Sequence, residues 1–181
     1  MKSTTSTKLY KVCSLLMGLL FAYSASVQLD DHDWYLWLPL YVCAAIVNLV
    51  QVNSLTPRLK SAAKLGLGLG LCLLVKVVAE DVVYGLSGFA SLDLSERVVR
   101  EKIGSGLVVV SMLLQLKVLD SQSTVKIKKG EKLKRRLRIS SSVQFGMALL
   151  VGVAYGLPFV FFVVQKCQMK FISKSFTHYV A

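Results

Sequence analysis

Charge is scarce in this 181-residue chain: Asp, Glu, Lys and Arg make up 18% of it, against 54% hydrophobic residues. A soluble domain averages about 25% charged and about 45–50% apolar, so an ordinary water-soluble domain is excluded. A disordered chain, which needs low hydrophobicity, is excluded as well. Four cysteines are too few for a disulfide scaffold, and none has the spacing of zinc ligands. Only two histidines occur, His32 and His178, far apart in sequence. The H-E-x-x-H, G-x-S-x-G and P-loop patterns are missing, which leaves no recognisable catalytic motif and no expected cofactor. There is no N-x-S/T acceptor for glycosylation. Acids are scarcer than bases, 10 against 22, for a formal net charge of +12. A greasy, positively charged chain points to a membrane protein with sided basic loops and away from a nucleic-acid binder.

A spanning helix needs about 20 mostly apolar residues. Five segments meet that requirement, over about 9–27, 34–52, 62–83, 103–119 and 143–164. The fourth is the shortest and is interrupted by Ser111 and Gln115. The predicted class is therefore an all-α integral membrane bundle of five transmembrane helices. Its parts are a cytoplasmic N-terminus (1–8), a four-span core (9–119), a basic loop (120–142), the fifth span (143–164) and a polar tail (165–181). The membrane is expected to be an endomembrane or the plasma membrane. An alternative for the first segment is a cleaved signal peptide, with Lys2, Lys8 and Lys11 ahead of the apolar run and Ala22-Tyr23-Ser24 as a tolerable cleavage site.

Basic residues in short loops stay cytoplasmic. With the N-terminus inside and the C-terminus outside, fifteen basic residues fall inside and six outside, with Lys76 within a span. Eight of the ten acids fall outside. The inner side then carries +13 and the outer side −2, so the net charge records orientation.

The turn between the first two spans reads Gln28-Leu29-Asp30-Asp31-His32-Asp33-Trp34-Tyr35-Leu36-Trp37. Its three carboxylates are hard oxygen ligands of the kind that hold Ca²⁺ or Mg²⁺. The alternative is a solvated turn with Asp33 as a helix N-cap, followed by an interfacial aromatic belt. Lys76 lies inside the third span, and Glu80 is one helical turn further on the same face. Lys76 lies roughly 20 Å along the helix from Ala62, close enough to the far interface for its side chain to reach water. Arg100-Glu101 opens the fourth span. Arg100 is placed to reach the acidic turn, giving a candidate polar cluster of Gln28, Asp30, Asp31, Asp33, Trp37, Arg100 and Glu101.

Gly66/Gly70 and Gly152/Gly156 repeat the small-xxx-small spacing that lets helices pack closely, within one bundle or between copies and partner proteins. Gly156-Leu157-Pro158 predicts a kink in the fifth span. The basic loop carries Lys126, Lys128, Lys129, Lys132, Lys134, Arg135, Arg136 and Arg138 against one acid. Such a juxtamembrane cluster attracts anionic lipid headgroups, and Ser140, Ser141 and Ser142 beside it are candidate sites for a basophilic kinase. Cys13, Cys43 and Cys72 lie in spans and read as small packing residues.

The acidic turn resembles that of the transmembrane protein 220 family, whose pattern is Gln-x-Asn-Asp-Pro-Asp-x-x-x-Trp-x-x-x-Tyr. Here it stands as Gln28, Asp30, Asp31, His32, Asp33, Trp37 and Tyr41, with Asp30 for Asn and His32 for Pro. The family's second signature, Arg-Glu-x-x-Gly, is similar to Arg100, Glu101 and Gly104. The resemblance covers about Leu9 to Leu119, and longer members carry a fifth span. It implies a small multi-pass membrane protein and no particular activity.

The leading functional reading is a non-catalytic accessory or scaffold protein in the bilayer. The alternative is a small-solute or ion pathway with an acidic outer mouth lined by the cluster and by Lys76 and Glu80. A third is a membrane enzyme holding a divalent metal at the acidic turn.

Overall fold

The computed structural model describes residues 2–30, 32–51, 57–84, 97–128 and 140–179, with side chains over 8–30, 32–50, 58–83, 97–121 and 140–163. The described elements are all helical. They are α1 (Lys2–Val27), one 3-10 turn (Gln28–Asp30), α2 (Trp34–Gln51), α3 (Pro57–Tyr84), α4 (Arg97–Lys128) and α5 (Ser141–Tyr179). Hydrocarbon offers no partner for a backbone N–H or C=O, so a spanning segment of this kind must satisfy them within its own helix. Local signals set the starts. Pro57 is the first residue of α3, where its missing N–H costs nothing. The Asp33 carbonyl accepts the Leu36 N–H at 3.0 Å, and the Ser140 carbonyl accepts those of Val143 and Gln144 at 3.1 and 3.2 Å. Both residues thus stand at N-cap positions.

Two helices run furthest past the ends that their apolar stretches suggest. α4 starts at Arg97, ahead of Ile103, and continues to Lys128, into the basic loop. α5 continues beyond Val164 to Tyr179, through the segment that reads as a polar tail. Apolar runs stop at the first charges, whereas Arg, Lys and Glu are good helix formers that carry the backbone pattern onward. α5 is unbroken across Pro158.

Four of the helices hold a segment long and apolar enough to cross a membrane: Lys8–Asp30, Arg58–Val83, Arg97–Ser121 and Ser141–Val163. α2 contributes a shorter apolar run, Trp34–Val50. At about 1.5 Å per residue that run is about 26 Å long, slightly under a hydrocarbon core of about 30 Å.

The helices close into a ring in which α1 packs on α2, α2 on α3, α3 on α4, α4 on α5 and α5 back on α1, while α2 also reaches α4. α2 is accordingly the most enclosed. Trp37, Leu40, Tyr41, Ala44, Ala45, Val47 and Asn48 are all buried, at the three- and four-residue spacing of a wide inward face. Glycines set the close approaches. A Cβ at Gly18 would lie 2.7 Å from the Leu49 side chain, so α1 and α2 meet nearly backbone to side chain. Gly66 faces Cys43 and Met112, and Gly70 faces Val109, so this pair packs inside the bundle. A Cβ at Gly152 or Gly156 would meet nothing within 4 Å, so that pair opens away from the bundle.

The surface is inverted relative to a protein built for water. Leu19, Val75, Val82, Phe145, Phe159 and Phe162 are exposed, while Ser14, Asn48, Ser105, Ser111 and Gln115 are buried. Extended apolar surface of this kind is what a lipid solvent tolerates and water does not.

Candidate functional site

Two groups of polar side chains organise the bundle. The first lies at the end that carries the α1–α2 and α3–α4 connections. Asp33, at the start of α2, is half-buried. One carboxylate oxygen accepts the Trp37 indole N–H at 3.2 Å, and the other meets the Arg97 guanidinium. Arg97 also donates from Nε to Glu101, one turn along α4, at 2.6 Å. Arg97 therefore bridges two carboxylates, one on its own helix and one 64 residues away in the sequence, by the planar fork geometry that suits it. Beneath them Trp37 stacks on Tyr41, with ring centroids 6.2 Å apart, and Tyr41 stacks on Phe21 at 6.4 Å. The Tyr41 hydroxyl lies over Gly104, where a Cβ would overlap it outright.

Beside this cluster, Lys102 of α4 pairs with Asp81 of α3 at 2.6 Å, with side chains only 16% and 1% exposed. Lys76 pairs with Glu80 at 3.1 Å, both half-exposed. At the opposite end, Lys60 pairs with Asp120 at 2.5 Å and ties α3 to α4.

The second group is fully inside the bundle. Gln115 of α4 donates to the Ser14 hydroxyl of α1 at 2.9 Å and to the Asn48 side-chain oxygen of α2 at 2.8 Å. Its own side-chain oxygen accepts the Tyr10 hydroxyl. Asn48 donates to the Ser111 hydroxyl at 3.1 Å and to the Ala44 carbonyl at 2.9 Å, and Ser14 donates to the Asn48 carbonyl at 2.9 Å. Five side chains on three helices thus satisfy one another where neither water nor lipid would.

Of the residues singled out in the sequence, Asp33, Trp37 and Glu101 come together around Arg97. Asp30 is exposed in the 3-10 turn, Gln28 is half-buried there, and Arg100 lies on the exposed side of α4. Asp31 lies outside the described residues, as do Lys129, Lys132, Lys134, Arg135, Arg136 and Arg138. Lys126 and Lys128 lie on α4 with side chains outside the described set. Among the described residues no group of three or more His, Cys, Asp or Glu gathers as metal ligands would.

Arg97, Asp81 and Lys102 were not singled out, because a helix starting at Ile103 hides the four-residue step from Arg97 to Glu101. The buried network was missed for a different reason. Ser111 and Gln115 read as interruptions of a span, although their spacing, like that of Tyr10 and Ser14, is one helical turn.

A family model described as "Transmembrane family 220, helix" matches residues 20–117, more than half of the chain. The chain belongs to the transmembrane 220 family. It is an integral, multi-pass membrane protein. No curated protein and no solved structure matches it. Within this transmembrane 220 chain the two signature segments meet at one place. Asp33, Trp37 and Tyr41 of the first and Glu101 and Gly104 of the second are joined through Arg97 and the Tyr41 hydroxyl. All five of these positions lie inside the matched residues, as do Asn48, Ser111 and Gln115 of the buried network.

Proposed function

We propose that this transmembrane 220 protein is a non-catalytic accessory or scaffold subunit that crosses the membrane five times. Its N-terminus is cytoplasmic, its C-terminus is outside, and its basic loop lies against anionic lipid. The single observation that carries the reading is the mutual pairing of its charges. Asp33 and Glu101 share Arg97, Asp81 takes Lys102, and Glu80 takes Lys76. The pairs of Asp33 and Asp81 tie one helix to another, while that of Glu80 lies within α3. A solute pathway needs groups that bind and release, and a metal site needs oxygens that are still available, whereas both oxygens of Asp33 are engaged.

Asp30, Trp34 and Tyr35 are exposed next to the paired cluster. They form the surface offered to a membrane-protein partner, with amphipathic rings at the depth where they anchor well. Purification in mild detergent, with identification of co-purifying proteins by mass spectrometry, tests the reading. A partner retained by the wild type and lost on combined Asp30→Ala and Tyr35→Ala substitution is the expected result. A partner-free monomer that conducts small solutes or ions in liposomes would overturn it in favour of the pathway.

A further inference from the structure

The seam between α4 and α5 differs from the other helix contacts. On α4, Ile103, Leu107 and Val110 line an apolar trench of about 330 Å³, faced by Gly146, Leu150 and Val153 of α5. The same stripes continue toward the end where the basic segment joins the two helices. There Lys117 and Ser121 of α4, with Ser140 and Ser142 of α5, line a polar mouth of about 380 Å³. Leu114 marks the waist between the two, 3.1 Å from where a Cβ of Gly146 would be. Steps of three and four residues along α4, from Ile103 to Ser121, keep trench, waist and mouth on one face of the helix.

We propose that this seam is a lipid site, seating an acyl chain of an anionic glycerophospholipid whose headgroup lies at Lys117. The trench is apolar and opens sideways to the bilayer, so the molecules that border it are acyl chains. Left empty, its lining would forfeit dispersion contacts. Glycine makes the room: a Cβ at Gly106 meets nothing within 4 Å.

The mouth supplies what an anionic headgroup needs. Lys117 is exposed, Ser140 and Ser142 offer hydroxyls while that of Ser121 donates to the Lys117 carbonyl at 2.8 Å, and the first N–H groups of α5 add partial positive charge. The Asp120 carboxylate beside them is drawn to Lys60 at 2.5 Å. Residues 126–138, which follow Ser121 closely in the sequence, carry eight basic residues against one acid, a balance that favours anionic headgroups. The lengths agree as well. Val110 is about 10 Å and Ile103 about 21 Å from Lys117 along the helix, and one leaflet is half of a core of about 30 Å. A chain descending from a headgroup at Lys117 enters the trench within its own leaflet. The proposal needs only that the chain crosses the membrane, and it stands or falls separately from the scaffold reading.

Native mass spectrometry of the full chain in mild detergent tests it, with phosphatidylserine or phosphatidylcholine of equal chain length as the added lipid. The wild type is expected to retain phosphatidylserine over phosphatidylcholine. Gly106→Leu fills the trench and weakens both lipids about ten-fold, the equivalent of roughly two buried methylenes. Lys117→Gln weakens phosphatidylserine alone, by about five-fold. Phe162→Ala, on the exposed side of α5, changes neither. If Gly106→Leu leaves both affinities unchanged while neutralising the basic residues of 126–138 removes phosphatidylserine, the segment binds headgroups without the seam and the proposal is overturned. Should Gly106→Leu fail to fold, phosphatidylserine with a photoreactive chain replaces it. Crosslinks concentrated in residues 103–110 and 146–157 support the site, and crosslinks spread evenly over the exposed faces of α1 and α3 overturn it.

Discussion

Gly104→Ala is the sharpest perturbation the structure offers. The added Cβ overlaps the Tyr41 hydroxyl, and the next nearest atom is Tyr41 Cζ at 3.3 Å. Tyr41 has little room to retreat, since its ring is stacked between Trp37 and Phe21 and is buried. Forcing a methyl into a filled contact costs about 1–3 kcal/mol. Replacing helical glycine by alanine returns up to about 1 kcal/mol, so the net destabilisation is about 1–2 kcal/mol. For a chain of this size that lowers the melting temperature by roughly 2–8 °C. Tyr41→Phe removes the clashing oxygen and leaves the 3.3 Å neighbour, which needs to yield by only tenths of an ångström. The double variant Gly104→Ala/Tyr41→Phe should therefore melt at or above the temperature of Tyr41→Phe alone, with a coupling energy of at least about 1 kcal/mol. Thermal unfolding in detergent, followed by the emission of Trp37 in a Trp34→Phe background, reads the effect where it occurs. Strictly additive variants would refute the contact.

Two further outcomes follow from the polar interior. Gln115→Leu removes the donor and acceptor that link Tyr10, Ser14 and Asn48. At about 0.6 kcal/mol per interhelical bond in a membrane, with three bonds lost, destabilisation of about 2 kcal/mol is expected in the same melting assay, coupled to Asn48→Leu in a double-mutant cycle. Lys102→Met takes the ammonium away from the Asp81 carboxylate, which is 1% exposed, and should cost about 3–5 kcal/mol. Asp81→Leu in the same chain should recover most of it, and unfolding by denaturing detergent will show whether the pair behaves as one unit.

The helices were legible in the sequence because long apolar runs have few other uses, and the family signatures were legible at the turn and at Glu101. What could not be read was direction. Hydropathy counts Gln115 and Ser111 as penalties wherever they point, yet both point inward and bind α1 and α2. Arg97 stood just outside the apolar run, and only the helix extension to Arg97 brings it into step with Glu101. Arg97, three residues ahead of Arg100 in the sequence, bonds Asp33. That is less than one helical turn, a distance that sequence spacing resolves only once the helix start is known. Asn48 carried no signal at all, since a single amide in an apolar run has no partner visible in sequence.

The buried network also says how the chain is divided. Gln115, Asn48 and Ser14 fix α1, α2 and α4 to one another along their axes, as teeth fix a key, because directional bonds permit one sliding position where shape alone permits several. α3 is latched to that unit through Asp81 and Lys60. α5 lies beyond residue 117, where the family match ends, and joins along its seams with α1 and α4, with Tyr155 donating to the Leu16 carbonyl at 2.9 Å. These polar ties thus set the register of the first four helices without a residue of α5, whose seams with α1 and α4 add to a frame already fixed.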